Sequence, residues 1–270
     1  MIVREGKSVF KGVAIGKIFV YKKADNAVKK ETVADTAAEM ARFEAAKEKA
    51  LGQLKGLYEK ALKDVGEEEA MIFDVHQMLL DDPDYNDSIK DIIENEKMNA
   101  EYAVFMTSEQ FAAMFLSMDD DYMRGRAADV KDISERVISI LNGSQVSPEA
   151  MPEPVIILAE DLAPSETVQF EKDKLLALVT QKGSANSHTA ILARTMNIPS
   201  LVSTDVEVDP DYDGKMAVVD GFAGLLYIDP DEETLTKMYE KKGRADQQRA
   251  LLQEMKGKET VTKSGKHIHL

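Results

Sequence analysis

Residues 175–196 read LLALVTQKGSANSHTAILARTM, and this stretch decides the fold class of the second half of the chain. An apolar run at 175–180 predicts a buried strand, and the small residues behind it predict a loop. From His188 to Met196 the apolar residues have helical spacing, so the stretch predicts a strand, a loop and a helix in succession. Strands and helices that alternate in this way are typical of an α/β unit.

A histidine stands at the first position of the predicted helix, directly behind the small-residue loop. Free backbone N–H groups and the dipole at a helix N-terminus favour an anion such as phosphate. The neutral imidazole of His188 is a nucleophile near physiological pH, so a ring nitrogen can attack phosphorus and carry the group as a phosphoramidate. The alternative is a capping or packing role, which is more common for a lone histidine at this place in a helix.

Short apolar runs bounded by turn residues predict the other strands of the same sheet. They comprise the first twenty residues, most clearly 13–20, and residues 155–159, 198–203, 216–220 and 225–229. Helix-like spacing also predicts a helix over residues 165–170. The first of these strands precedes a long helical region and would pair most simply with the later ones, so the helical region is expected to be an insertion.

That helical region extends over residues 32–142 almost without interruption. Gly66 predicts a helix stop, Pro83 a second break, Asn99 an N-cap and Asn142 the last helix end. Four or five helices joined by short turns are typical of an antiparallel bundle.

The predicted fold class is therefore α/β plus all-α, with a helical bundle inserted into an α/β domain. Residues 232–258 form a highly charged helical pattern with few apolar positions, which is typical of a solvent-bridging linker. The final alternation, KHIHL, predicts a strand, so we expect the chain to end where a further domain begins. The predicted domains are an α/β domain (1–24 and 147–231), a helical subdomain (25–146), a linker helix (232–260) and the start of a further domain (261–270).

Composition limits the classes of function. Of 270 residues, 44% are hydrophobic and 31% are charged, which is typical of a soluble globular protein. No apolar run approaches the roughly twenty residues of a membrane span, and the first ten residues lack the apolar stretch of a signal peptide, so we expect a cytoplasmic protein without a membrane partner. The absence of cysteine excludes disulfides, thiolate catalysis and cysteine-ligated metals.

The formal net charge is −15 at pH 7. Such a charge argues against binding nucleic acid, because phosphate backbones need clustered lysine and arginine. It favours a partner protein with a basic contact face, which would be attracted over several ångströms.

The histidine segment resembles the phosphohistidine motif of the phosphoenolpyruvate-utilising enzymes at Gly183, at 187–191, at 193–194 and at 198–199. Enzyme I of the bacterial sugar phosphotransferase system, pyruvate phosphate dikinase and phosphoenolpyruvate synthase share this motif, which does not distinguish them. The sequence departs from the family twice. Residues 184–186 are Ser-Ala-Asn where a second glycine and then threonine are usual, and Lys11 replaces a common proline.

The helical region distinguishes these three enzymes. It is similar to the Enzyme I subdomain that docks the small carrier protein HPr at residues 67–68, 70–73, 76–80, 126–130 and 132–133. The resemblance to the Enzyme I family extends over essentially the whole chain, including 161–162 and 164–167. It implies a swivelling phosphohistidine β/α domain with an inserted, antiparallel HPr-binding bundle.

The resemblance also implies roles for individual residues. His188 would carry the phosphoryl group, and Thr167 matches the position whose hydroxyl bonds the active histidine. A helix-capping role is the alternative for Thr167. Arg194 would steady phosphate or cover its helix with its stem, and Arg126 resembles the family residue near the incoming phosphoryl group. His76 is expected to be a core or interface residue instead of a phosphoryl carrier.

The HPr-docking surface is predicted around the second helix, where methionine and leucine stand beside clustered carboxylates. An apolar centre with a polar rim is typical of such interfaces. The predicted partner-binding residues are Glu67, Glu68, Met78, Leu79, Asp82, Asp84 and Arg126.

In the family, phosphoenolpyruvate and Mg²⁺ bind a carboxy-terminal barrel, so the resemblance implies no cofactor and no metal in these 270 residues. The chain would exchange phosphoryl groups with HPr but would not start from phosphoenolpyruvate. It would be a monomer, whereas the full-length enzyme would be a homodimer and would hold the barrel as an intramolecular partner. Two alternatives are the swivelling domain of a dikinase or synthase and a non-enzymatic acidic docking adaptor.

Overall fold

The computed structural model describes residues 1–23, 26–143, 153–185 and 187–255. The predicted domain boundaries near residues 24 and 147, the predicted end of the linker helix and the predicted start of a further domain lie outside these ranges. Asn186 of the histidine loop also lies outside them.

Five helices form a bundle within residues 26–143, and each begins at a sequence signal. They are α1 (Thr36–Asp64), α2 (Glu67–Leu80), α3 (Pro83–Glu94), α4 (Ala100–Leu116) and α5 (Asp121–Leu141). Gly66 joins α1 to α2 with a φ of +120°, a conformation that L-residues rarely adopt. Pro83 occupies the first turn of α3, while the side chain of Asp82 accepts a hydrogen bond from the Tyr85 N–H at 3.1 Å. The second helix was predicted to end at Pro83. It ends at Leu80 instead, and Pro83 is the first residue of α3.

In the described ranges, eight strands form one mixed sheet in the order β1-β8-β7-β3-β4-β5-β6-β2. Their bounds are β1 Ile2–Glu5, β2 Lys7–Phe10, β3 Val13–Val20, β4 Val155–Ala159, β5 Leu175–Thr180, β6 Ser200–Val202, β7 Met216–Asp220 and β8 Leu225–Ile228. The strands β3 to β6 run parallel to one another. The strands β7, β8, β1 and β2 are each antiparallel to the strands with which they pair. The fold class predicted from the sequence is confirmed.

Helices of the α/β half lie on one face of this sheet. They are α6 (Pro164–Thr167) and α7 (His188–Thr195), and α8 (Glu232–Met255) follows the last strand. Side chains alternate along β4, so that Ile156 and Leu158 pack into a core on one face while Ile157 faces α6 and α7. The predicted helix over 165–170 is shorter than expected, because the chain turns into a loop after Thr167.

The bundle packs against the α6–α7 side of the sheet. Val65 and Val168 each contact both the bundle core and the sheet core. The Lys60 ammonium donates a hydrogen bond to the Gln169 carbonyl at 2.8 Å. Apolar and polar contacts thus hold the segment that follows α6 against the bundle.

Candidate functional site

The loop before α7 is shaped by one glycine and by side-chain bonds to its carbonyls. Gly183 has a φ of +98°, in the region that favours glycine. Its carbonyl accepts a hydrogen bond from the Ser203 hydroxyl at 2.6 Å. Ser187 caps α7 by accepting from the Ala190 N–H at 3.3 Å, which places His188 at the first helical position.

His188 opens into a cleft between the two halves of the molecule. The cleft has a volume of about 430 Å³ and lies among α2, α5, α6 and α7. Its walls are largely apolar and include Met71, Ile72, Val75, Tyr122, Ile191 and Leu192. The histidine therefore lies where a second molecule could reach it while bulk water is partly excluded.

The two sides of the His188 ring have different surroundings. The side chain is 41% exposed, yet Nε2 is buried and has no hydrogen-bond partner among the described residues. The Asp129 Oδ1 lies 3.9 Å from Nε2. Burial lowers the pKa of His188 below its ordinary value, and Asp129 opposes this only in part. The ring is therefore neutral near physiological pH, as a nucleophile must be.

Asp129 is a buried carboxylate of the cleft wall, and only 3% of its side chain is exposed. Its Oδ2 accepts a hydrogen bond from Arg126 at 2.8 Å. Its Oδ1 lies 3.3 Å from the His76 Nε2, a contact without hydrogen-bond alignment. Burial alone would raise the pKa of Asp129, but His76 and Arg126 together lower it below its usual range, so the carboxylate is ionised.

His76 lies wholly inside the molecule, in agreement with the prediction of a core residue. Its ring meets Phe73 edge-on at 5.9 Å between centroids, and its Nδ1 lies 3.8 Å from the Asp132 Oδ2. Asp132 in turn accepts hydrogen bonds from the Ser165 hydroxyl and backbone N–H of α6, at 2.5 and 3.2 Å. A series of polar side-chain contacts thus connects the interior of the bundle to the α/β half beside the cleft.

The other two predicted catalytic residues lie near His188 but make local bonds. Thr167 lines the cleft, and its hydroxyl donates to the carbonyls of Ala163 and Pro164 at 2.9 and 3.0 Å in place of the expected bond to His188. Arg194 is exposed and donates to the Ala185 carbonyl at 2.8 Å, so its guanidinium supports the loop.

The predicted partner-binding residues do not all meet at the cleft. Glu68 and Arg126 line it, and Glu67 is exposed one residue earlier in α2. Met78 and Leu79 lie about 15 Å further along α2, given the rise of a helix.

At that far end, Met78 is 73% exposed, whereas Leu79 packs against the bundle core. Leu79 is therefore not the exposed apolar centre that was expected. Asp82 caps α3, and Asp84 is exposed in its first turn.

No role was predicted for Asp129 from the sequence, and no contact was predicted for His76. A signal was present, because Asp129 and Asp132 are interspersed with the apolar residues Val130 and Ile133 on the buried side of α5. Carboxylates in an apolar stripe indicate either a paired buried charge or a functional site.

Within the described ranges, no group of three or more histidine or acidic side chains is arranged to hold a metal ion. Nor does any helix in these ranges combine the length and the apolar character needed to cross a membrane. The placement of Mg²⁺ on another part of the enzyme stays a prediction.

Comparison with known families gives two matches along the chain. The description "PEP-utilising enzyme, N-terminal" matches residues 5–126, and "PEP-utilising enzyme, mobile domain" matches residues 151–224. The first contains most of the bundle, and the second contains His188 and the strands β4 to β7.

Individual relatives point to one member of that group. The phosphoenolpyruvate-protein phosphotransferases of Bacillus sp. (strain S) and Bacillus subtilis (strain 168) are 39% and 37% identical over 266 and 260 residues. These alignments include 98% and 96% of this chain but only 46% of each relative, so the chain spans about half the length of the curated relatives it matches.

A solution structure described as Enzyme I (nEIt) is 34% identical, with a TM-score of 0.78, and the alignment covers 90% of this chain and 99% of that one. The N-terminal domain of Enzyme 1 - Nitrogen is 27% identical, with a TM-score of 0.59 over 88% of this chain and 98% of that one. The chain belongs to the Enzyme I family of phosphoenolpyruvate-protein phosphotransferases and corresponds to its amino-terminal part.

Proposed function

We propose that His188 accepts a phosphoryl group that originates from phosphoenolpyruvate and passes it to a histidine of the carrier protein HPr. The observation that carries this proposal is the neutral His188 ring at the start of α7, open to a cleft between the two halves. Membership of the Enzyme I family supports it. Phosphoenolpyruvate and Mg²⁺ would bind the part of the longer relatives that this chain does not match.

The chemistry requires only a nucleophilic nitrogen and a good leaving group in each step. A ring nitrogen of His188 attacks phosphorus, the bond from phosphorus to the enol oxygen breaks, and pyruvate leaves as its enolate with the electron pair. The second ring nitrogen loses its proton to solvent, so that the phosphorylated ring is neutral. In the next step the second ring nitrogen of His188 takes up a proton again and the histidine of HPr attacks the same phosphorus. The bond from phosphorus to His188 breaks with its electron pair left on His188, which is then neutral, and the HPr ring loses its own second proton to solvent.

The direct test is to incubate the chain with phosphorylated HPr and to map acid-labile phosphate. The parent should take up label at His188, and His188→Ala should take up none while keeping the parent's circular dichroism spectrum and HPr affinity. The control is His267→Ala, which removes another histidine of the chain and should be labelled like the parent. Label retained by His188→Ala would refute the carrier role.

We further propose that HPr docks along α2 and the start of α3, beside the cleft. Exposed Met78 supplies an apolar contact, while Glu67, Glu68 and Asp84 supply negative charge that suits a basic partner. Arg126 lines the same cleft and lies close enough to His188 to lower its pKa. A homodimeric full-length enzyme in the cytoplasm belongs to the same proposal, and sedimentation of that enzyme would test its oligomeric state.

A further inference from the structure

Ser203 adopts a backbone conformation that is uncommon for its residue type. It follows β6 directly and has a φ of +50°, in the left-handed region. Residues other than glycine, asparagine, aspartate and histidine are rare there, because the Cβ atom crowds the following carbonyl. Such conformations persist only where surrounding contacts offset their free-energy cost, and they cluster at functional sites.

The contacts of Ser203 are two hydrogen bonds to the loop that leads to His188. Its hydroxyl donates to the Gly183 carbonyl at 2.6 Å, and its backbone N–H donates to the Lys182 carbonyl at 3.3 Å. The Thr180 hydroxyl also donates to the Lys182 carbonyl, at 2.7 Å. Ser203 therefore binds two consecutive carbonyls of the loop, which a single water molecule beside this half-buried residue could not do.

Gly183 lies between Ser203 and the start of α7. A Cβ atom built on Gly183 would lie 3.7 Å from the Ser187 Oγ, so the loop backbone packs against the helix cap. The same Oγ accepts a hydrogen bond from the Ala190 N–H and fixes the first turn of α7, in which His188 is the first residue. A displacement of the Gly183 carbonyl would thus be passed through the helix cap to His188.

We infer that Ser203 is a positioning residue for phosphoryl transfer, because its hydroxyl holds the Gly183 carbonyl and thereby fixes the helix start at which His188 reacts. This inference rests on the proposed carrier role of His188. Ser203 belongs to the α/β half and does not line the cleft, whereas HPr is proposed to dock on the bundle. The hydroxyl should therefore affect the rate of the chemical step and leave partner binding unchanged.

Two substitutions separate the hydroxyl from the stability of the fold. Ser203→Gly removes the hydroxyl but suits the left-handed conformation, so the midpoint of urea unfolding should stay near that of the parent. Ser203→Thr keeps a hydroxyl, yet a β-branched side chain suits this conformation less than serine does, so the midpoint should fall. Stability should thus be higher in Ser203→Gly than in Ser203→Thr, while the transfer rate should show the opposite order.

Ser200→Ala is the matched control in the same strand. The Ser200 hydroxyl is buried and donates to the Ile198 carbonyl at 3.0 Å, which is not part of the loop. This variant loses a hydrogen bond of β6 but keeps the Ser203 hydroxyl on the Gly183 carbonyl.

Transfer is measured by rapid-quench labelling over a range of concentrations of phosphorylated HPr. Ser203→Gly should lower the maximal rate about tenfold, because small displacements of a reacting group cost factors of this size or more. The HPr concentration at half-maximal rate should not change. Ser203→Thr and Ser200→Ala should have rates close to that of the parent.

Three results of this measurement would overturn the inference. One is a parent-like rate in Ser203→Gly, and another is a rate that follows the urea midpoint across the variants. The third is an equal loss of rate in Ser200→Ala, which would assign the effect to β6 in general.

Amide hydrogen exchange observed by NMR tests the positioning without any phosphoryl donor. Protection of the Ala190 N–H, which donates to Ser187, should fall roughly fivefold in Ser203→Gly, the factor expected for the net loss of one hydrogen bond. It should stay at the parent level in Ser203→Thr and Ser200→Ala. Unchanged protection in Ser203→Gly would refute the path from Ser203 to α7. If protection changes as expected while no protein takes up phosphate, the carrier role fails and the placement of α7 by Ser203 stands.

Discussion

At the residue scale, His188 depends on neighbours that lie far away in sequence. Its neutrality comes from burial in the cleft, and its orientation is set beside Asp129 of α5. The loop and helix start that present it were predictable from 183–188, because glycine, serine and a helix N-terminus have local signatures. The contacts of His188 with α5 were not predictable, since sequence spacing does not reveal which helix faces another across a domain boundary.

Thr167 gives the first prediction at this scale. Thr167→Val keeps the volume but removes the hydroxyl that donates to the Ala163 and Pro164 carbonyls. Loss of this buried bond should lower the free energy of unfolding by about 1 kcal/mol. If the hydroxyl also meets the ring during transfer, exchange with phosphorylated HPr should slow without stopping. Rapid-quench labelling measures that rate.

The control for this variant is Thr189→Val. The Thr189 hydroxyl is equally buried and donates to the Leu162 carbonyl at 2.9 Å, but the side chain does not belong to the cleft wall. A matching reduction of the rate in both variants, or a parent-like rate in Thr167→Val, would leave Thr167 as a helix residue alone.

At the element scale, the sequence predicted the helices and central strands well because their signals are local. Residues 155–159, 175–180 and 216–220 are strands with the predicted bounds. The short edge strands β1 and β2 were not separated from each other. Each has only four residues and pairs with one neighbour, so the pattern that distinguishes them is long-range.

The junction of α1 and α2 offers a prediction about backbone conformation. Gly66 has a φ of +120° and a ψ of 177°, which is accessible to glycine almost alone. An added Cβ would approach only the Glu69 carboxylate, at 3.6 Å, so space is not the obstacle. Gly66→Ala should therefore lower the stability of the bundle by about 1–3 kcal/mol through strain.

Gly56→Ala is the matched control in the same helix pair. Gly56 lies within α1, and an added Cβ would meet no atom within 4 Å. Alanine at such a position should stabilise the helix by about 0.5–1 kcal/mol. Urea unfolding followed by circular dichroism at 222 nm compares the two, and destabilisation of equal size in both would contradict the role of the Gly66 conformation.

At the scale of the whole molecule, the net charge of −15 adds a long-range attraction to the local docking surface. The on-rate for HPr should fall as ionic strength rises through about 0.15 M, where the Debye length is about 8 Å. Asp84→Asn should reduce the on-rate at low salt by roughly twofold, because rim charges act mainly on association. Stopped-flow measurements over a salt series give both quantities.

Two further variants locate the effect on the molecule. Asp211→Asn removes an exposed carboxylate in the α/β half and should change the on-rate less than Asp84→Asn. Met78→Ala should mainly speed dissociation, since its exposed side chain supplies contact area without charge. An on-rate that ignores salt, or that responds equally to Asp84→Asn and Asp211→Asn, would place the docking surface elsewhere.

The strand order has a consequence for how the chain is made. β1, β2 and β3 precede the bundle, yet each pairs only with strands that follow it, as when Lys17 pairs with Val155. The contacts inside the bundle are mostly between helices adjacent in sequence, which form quickly. During synthesis at about 5–20 residues per second, the first three strands wait on the order of ten seconds for partners. The nascent chain therefore completes its bundle while three strands are unpaired. A chaperone that covers unpaired strands would act mainly during this interval.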